Sequence, residues 1–221
     1  MSNLQAGLDL GQVRDFSALA VVERLHVLPP GMSYEHWERH QDDVVPPTLT
    51  EEVHVRHLQR WQIGTPYGRI VDDVGELMRR DEMADAWLYF DATGVGVAVR
   101  DMLMQAYTAG RMGAHWPLAI TLTGADRSTG RHVAKRDLMS RLQVLLQQGR
   151  LRIAAGLPLA DVLERELTSF RLKLSAAGRD SYEVQRREGE GHGDLTIAVA
   201  LAAYRVNPSA AIEVVETAAT V

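Results

Sequence analysis

Apolar residues recur along this chain in two rhythms. Leu4 to Leu10 is a short, nearly continuous apolar run and predicts a strand, and Ala18 to Leu25 predicts a second. Between them, Gly11-Gln12-Val13-Arg14-Asp15 is short enough for a hairpin turn. The stretch from Pro29 to Pro47 contains Pro29, Pro30, Pro46 and Pro47 and predicts an irregular insertion or lid loop. Val53 to Leu58 alternates and predicts a third strand. From Tyr67 to Arg80 the rhythm changes: Ile70, Val71, Val74, Leu77 and Met78 are spaced by threes and fours, the mark of an amphipathic helix. Ala86 to Phe90 predicts a fourth strand ending in Asp91, Val95 to Tyr107 a helix, and Pro117 to Leu122 a strand. Val133 to Gln148 is the clearest helix, with Leu138, Leu142, Leu145 and Leu146 on one face and Gly149 past its end. A short strand, Leu151 to Ile153, and a helix, Leu159 to Phe170, follow. Phe170 to Leu174 and Ser181 to Val184 flank Ala-Ala-Gly-Arg-Asp as a predicted hairpin. The last helix is predicted from Asp194 to Tyr204.

Early antiparallel strands followed by strand–helix units indicate the α/β class, a mixed sheet with helices on both faces. No repeat or break in composition divides the chain. The reading is one domain over residues 1–206 and a flexible tail over 207–221, where periodicity is weak.

Composition narrows the function classes. With 221 residues, 46% hydrophobic and 24% charged, the chain can bury a sizeable core and is neither disordered nor fibrous. It has no cysteine, which excludes disulfides, thiolate nucleophiles and zinc ribbons. No apolar run reaches the roughly 18 residues of a membrane span, and the first residues lack a signal peptide's pattern. The expectation is a cytoplasmic protein with no membrane role. Net charge is −5, against a surface that coats nucleic acid all over. Yet Arg127, Arg131, Lys135, Arg136, Arg141, Arg150 and Arg152 form a basic strip with Asp137 its one acid. The strip is either a solvated face or a phosphate-contacting surface.

Three aspartates stand out by position. Asp9 lies inside the first apolar strand, where a carboxylate is costly unless paired. Asp91 ends the fourth strand, and α/β folds place their sites at the carboxyl ends of strands. Asp194 opens the last helix in Gly191-His192-Gly193-Asp194-Leu195. Singly, each has a plain alternative: a bulge or edge residue, a turn former, a helix N-cap. Together they converge if strands one and four are neighbours and the last helix packs across them. Three such carboxylates form a hard oxygen site for Mg²⁺ or Mn²⁺. Two such ions about 3.5–4 Å apart activate water and stabilise the leaving oxygen of a phosphodiester.

The segments Gly7-Leu8-Asp9-Leu10-Gly11, Tyr89-Phe90-Asp91-Ala92-Thr93-Gly94 and Gly191-His192-Gly193-Asp194-Leu195-Thr196-Ile197, in this order, resemble the nuclease domain of the phage terminase large subunit. Val133-Ala-Lys-Arg-Asp-Leu, Gly149-Arg-Leu-Arg-Ile and Glu166-Leu-Thr-Ser-Phe extend the resemblance, which covers about residues 5–205. It implies a ribonuclease H-like fold: a mixed central sheet flanked by helices, its first three strands antiparallel and further strands parallel to the first. It also implies a metal-dependent endonuclease that cuts double-stranded DNA during genome packaging in the host cytoplasm, with Asp9, Asp91 and Asp194 as metal-binding catalytic carboxylates. A packaging ATPase, a portal or a small terminase subunit would be its partners. No Gly-x-x-x-x-Gly-Lys-Ser/Thr motif occurs. The chain therefore reads as an excised domain or a stand-alone nuclease, with any motor supplied by a partner.

Arg127, Arg131, Lys135 and Arg136 are candidate DNA contacts, the last two near a helix N-terminus that favours phosphate. Asp15 in the first turn and His192 beside Asp194 are possible accessory residues, each with a plain structural alternative. Two other functions fit the same pattern: a junction-resolvase-like or transposase-like nuclease of the same superfamily, and a non-catalytic DNA- or portal-binding module.

Overall fold

The first predicted hairpin forms. β1 (Leu4–Asp9) and β2 (Ser17–Val27) pair antiparallel, and β2 pairs antiparallel with β3 (Thr50–Trp61). The β2–β3 register shifts between Val21 and Val22, leaving Arg56 as the extra residue of a bulge, its side chain paired with Glu23. β4 (Trp87–Asp91) then adds parallel to the free side of β1, followed outward by β5 (Leu118–Thr123) and β6 (His132–Ala134), each parallel to the last. On the other side, β7 (Leu151–Ile153) runs parallel to β3. The eight-stranded sheet has the order β6-β5-β4-β1-β2-β3-β7, with β8 (Val214–Val215) attached to β2. The structure, a computed structural model, describes residues 3–12, 15–43, 46–94, 96–125, 127–176, 193–204 and 214–215.

Helices cover both faces, as the mixed pattern requires. α2 (Tyr67–Met78) and α3 (Gly96–Thr108) share a core with Ala6, Leu8, Leu19, Val21, Leu88 and Phe90. α4 (Lys135–Gln147), α5 (Ala160–Ala176) and α6 (Asp194–Ala203) share the opposite core with Ala18, Ala20, Val22, Val53, Val55 and Tyr89. α6 is buried along its whole length and rests on β1, where Gly7 leaves room for it: a Cβ there would stand 2.5 Å from the Ala202 amide nitrogen and against the Ala198 carbonyl. At its far end α6 presents the Ala203 carbonyl to the buried guanidinium of Arg24. Arg24 also donates to Gln5 Oε1 (3.1 Å) and pairs with Glu51 (2.7 Å), so a buried cation at the negative end of the helix dipole is fully engaged.

Four segments differ from the sequence expectation. Phe170–Leu174 is helix, the last part of α5, and not a hairpin strand. Its alternation is short, and Arg, Leu and Lys are good helix formers that extend a helix already nucleated. The predicted partner strand, Ser181–Val184, lies outside the described residues. Within the stretch expected to be irregular, Ser33 caps a short helix, α1 (Tyr34–Arg39), by accepting from the His36 amide. His132–Ala134 forms β6 where the start of a helix was predicted, because the chain pairs with β5 before α4 begins. Within the predicted tail, Val214–Val215 forms β8, antiparallel to β1 because it follows β2.

Candidate active site

β1 and β4 lie side by side with Leu8 opposite Phe90. Asp9 and Asp91, one residue further along two parallel strands, are therefore neighbours at the carboxyl edge of the sheet. Strand alternation puts both on the face that carries Gly7 and Tyr89, the face covered by α6. α6 delivers Asp194 from above as its first residue, 3% exposed.

The three carboxylates act on one another. Burial holds the Asp9 carboxyl well above the ordinary carboxylate range, and the fields of Asp194, Asp91 and Glu166 add to this against the ammonium of Lys135. Burial also raises Asp91, opposed by hydrogen bonds from Thr93 and by Lys135. The Thr93 amide donates to Asp91 Oδ1 (2.7 Å), and the Thr93 hydroxyl accepts from the Leu122 amide (2.8 Å). One Asp91 oxygen is thereby fixed from β5. The turn after β1 is held in the same way: the Gly11 amide donates to Ser17 Oγ (3.1 Å) and the Tyr67 hydroxyl donates to the Gly11 carbonyl (2.8 Å).

Asp15 closes that turn, its amide donating to the Gln12 carbonyl (2.8 Å). A third carboxylate acting on Asp9, after Asp194 and Asp91, is Glu166 on α5, which the sequence reading left out of the site. Burial pushes Glu166 up to about 7, with Asp194 adding to the rise and the Thr196 amide and Arg60 opposing it. Its signal was weak but present: Leu163 and Leu167 are buried, so Glu166 shares their inward stripe. His192 lies outside the described residues.

The basic strip divides in two. Arg141, Arg150 and Arg152 are tied to β3: Arg141 and Arg152 pair with Glu51 and Glu52, and Arg150 donates to the Glu51 carbonyl (3.0 Å). Lys135 and Arg136 open α4, whose N-cap, Ala134, supplies no side-chain acceptor. Arg127 and Arg131 are exposed on the loop that leads there. The Ser128 hydroxyl and amide both donate to Asp137 (2.7 and 3.0 Å), which folds this loop against the first turn of α4. Of these four cations, Lys135 is the one whose charge is felt at the carboxylates Asp9 and Asp91.

Among the described residues, no three Asp, Glu or His side chains form a preformed metal-binding group. The donor set still suits a divalent cation: carboxylate oxygens are hard ligands, and their mutual repulsion at Asp9 is what a cation relieves. Among the described residues, no helix is long and apolar enough to cross a membrane.

The architecture matches solved structures. The large terminase nuclease from thermophilic phage G20c aligns with a TM-score of 0.53 and 21% identity, over 90% of this chain and 80% of that one. The HK97 bacteriophage large terminase aligns with a TM-score of 0.50 and 15% identity, over 91% of this chain and 39% of that one. At these identities the likeness establishes the fold, the ribonuclease H-like arrangement of a terminase nuclease. No protein-family model matches the sequence, and no curated protein matches it.

Proposed function

We propose that this chain is a divalent-metal-dependent endonuclease that hydrolyses phosphodiester bonds of double-stranded DNA, as in phage genome packaging. The observation that carries the proposal is the placement of Asp9 and Asp91 at the carboxyl ends of two neighbouring parallel strands, with Asp194 opening the buried helix packed on β1. The likeness to the G20c large terminase nuclease supports it.

In this reading Asp9, Asp91 and Asp194 hold two Mg²⁺ or Mn²⁺ ions. When bound, such ions supply an activated water and offset the charge that develops on the phosphate. The chain's own residues do the rest. Thr93 restrains Asp91 so that its second oxygen is left for the cleft. Lys135, whose charge is felt at both Asp9 and Asp91, holds the incoming phosphate beside them. The uncapped amides at the start of α4 favour the same anion, and Arg127, Arg131 and Arg136 track the backbone without reading bases. The setting we propose is the host cytoplasm, with a packaging ATPase, portal or small terminase subunit as partners.

The test is incubation of the purified protein with supercoiled plasmid and Mg²⁺ or Mn²⁺, with EDTA as control. Nicked and linear products that EDTA abolishes are expected. No product under either metal would leave a non-catalytic DNA- or portal-binding module, and a strong preference for branched substrates would shift the reading to a junction resolvase.

A further inference from the structure

The first turn of α6 has no cap of its own. Its N-cap is Gly193, in the left-handed region at φ 85, with no side chain to offer. The Ile197 amide begins the helical ladder by donating to the Gly193 carbonyl (2.8 Å), which leaves the earlier amides without intrahelical acceptors. Because α6 is buried throughout, water is a poor substitute there. The Thr196 amide finds its acceptor on a different helix: it donates to Glu166 Oε2 on α5 at 2.9 Å.

Glu166 is an unusual choice for that task. A neutral acceptor would satisfy the amide without adding a fourth negative charge near Asp194. A carboxylate makes the stronger, charge-assisted bond and interacts favourably with the positive end of the helix dipole. Its excess charge has a partner in Arg60, whose Nη1 stands 4.0 Å from Glu166 Oε1 while its guanidinium lies over the Phe16 ring at 4.3 Å. Asp194 and Thr196 belong to the same helical turn, so whatever fixes the Thr196 amide also fixes the direction in which Asp194 leaves the helix.

We propose that Glu166 is a positioning residue for the carboxylate cluster: by capping α6 from α5 it sets the depth and rotation of the turn that carries Asp194. The role rests on the reading of Asp194 as a metal ligand. This role asks Glu166 to act through the Thr196 amide and requires no contact with metal or substrate. Partners that orient a metal's ligands commonly matter about tenfold or more for affinity, although they bind nothing directly.

The test uses the whole chain stripped with EDTA and two readouts: Mn²⁺ affinity by calorimetry, and exchange of the Thr196 amide with deuterium by NMR. Glu166→Gln keeps an oxygen acceptor at the same reach and should hold Mn²⁺ within about threefold of wild type, with Thr196 still protected. Glu166→Ala removes the acceptor and should lose about tenfold or more in both affinity and protection. Glu166→Asp, which withdraws the carboxylate by one methylene, should do the same and replaces the alanine variant if that one fails to fold. Wild-type affinity in the alanine or aspartate variant, or a glutamine variant as impaired as either, would overturn the positioning role. If the wild-type chain binds no Mn²⁺, the metal reading itself fails. Thr196 exchange then decides the cap alone, and unchanged protection in the alanine and aspartate variants overturns it.

Discussion

Ala198 of α6 has its carbonyl oxygen where a Cβ on Gly7 of β1 would have to stand. The two backbones meet without any intervening side chain, one residue pair below Asp9. Helix α6 can sit this deep only because position 7 is glycine, and its depth is what brings Asp194 down to the strand ends.

Gly7→Ala should therefore cost more than an ordinary surface change. The blocking atoms are backbone and cannot rotate away, so overpacking should destabilise by about 3 kcal/mol. Urea midpoints measure this directly. A variant as stable as wild type would mean that α6 is free to ride up.

Asp91→Asn should abolish cleavage at least about a hundredfold and leave the fold intact, since size is conserved and one ligand charge is removed. Circular dichroism and the plasmid assay, run on the same preparation, separate the two effects. Cutting at the wild-type rate would remove Asp91 from the site.

Asp194→Asn has two opposed effects that metal separates. Without metal it relieves repulsion on Asp9, so the variant should melt at or above the wild-type temperature. With Mn²⁺ at a hundredfold over its dissociation constant, the wild type should gain about 2.7 kcal/mol and the variant much less. Thermal melts in EDTA and in Mn²⁺ check both. A variant less stable in EDTA with its Mn²⁺ gain intact would make Asp194 a structural residue alone.

The metal-free protein should lose stability as pH rises through neutrality. Glu166 ionises at about 7 in the fold, above its unfolded value of 4.5, so the folded state holds a proton that the unfolded chain has released. That contribution is complete below the unfolded value and is lost as pH rises through the folded one, amounting to about 3 kcal/mol at most. Asp9 and Asp91 are raised as well and act with the same sign. Denaturation in EDTA from pH 5 to 8 should show the decline, and Glu166→Gln should flatten it. A rise in stability over this range would contradict the environment described for these groups.

DNA binding should weaken steeply with salt, and replacing Lys135 and Arg136 by Ala should weaken it for every sequence and flatten the slope by about two ions. Arg152→Ala, a change at a cation already paired with Glu52, should leave the slope alone. Equal effects of the two changes would mean that the strip works as one surface.

The sequence pattern carries the frame of this fold well where one face is buried. The spacing of Ile70, Val71, Val74, Leu77 and Met78 locates α2, and the apolar runs around Leu8 and Phe90 locate β1 and β4. Asp9 and Asp91 are conspicuous because a carboxylate in or ending an apolar strand needs a reason. Glu166 is less conspicuous, because its role depends on which side of α5 meets α6, a tertiary fact whose one local trace is its place in the stripe of Leu163 and Leu167. The roles of Gly7 and Thr93 are hidden for the same reason, being fixed by a helix or strand distant in sequence. At Phe170–Leu174 local alternation pointed to a strand, and continuity with the preceding helix prevailed.

The order of elements also has a consequence in time. Among the described elements Asp9 belongs to the first strand and Asp194 to the last helix, while Asp91 lies between them. A nascent chain can pair β1 with β2 and later with β4 long before anything covers their carboxyl ends. Until α6 emerges and docks on Gly7, two of the three carboxylates face solvent without the third. If the proposed function holds, a chain stopped before α6 lacks Asp194 and should leave the DNA around it uncut, so competence to cut would arrive only once α6 has docked.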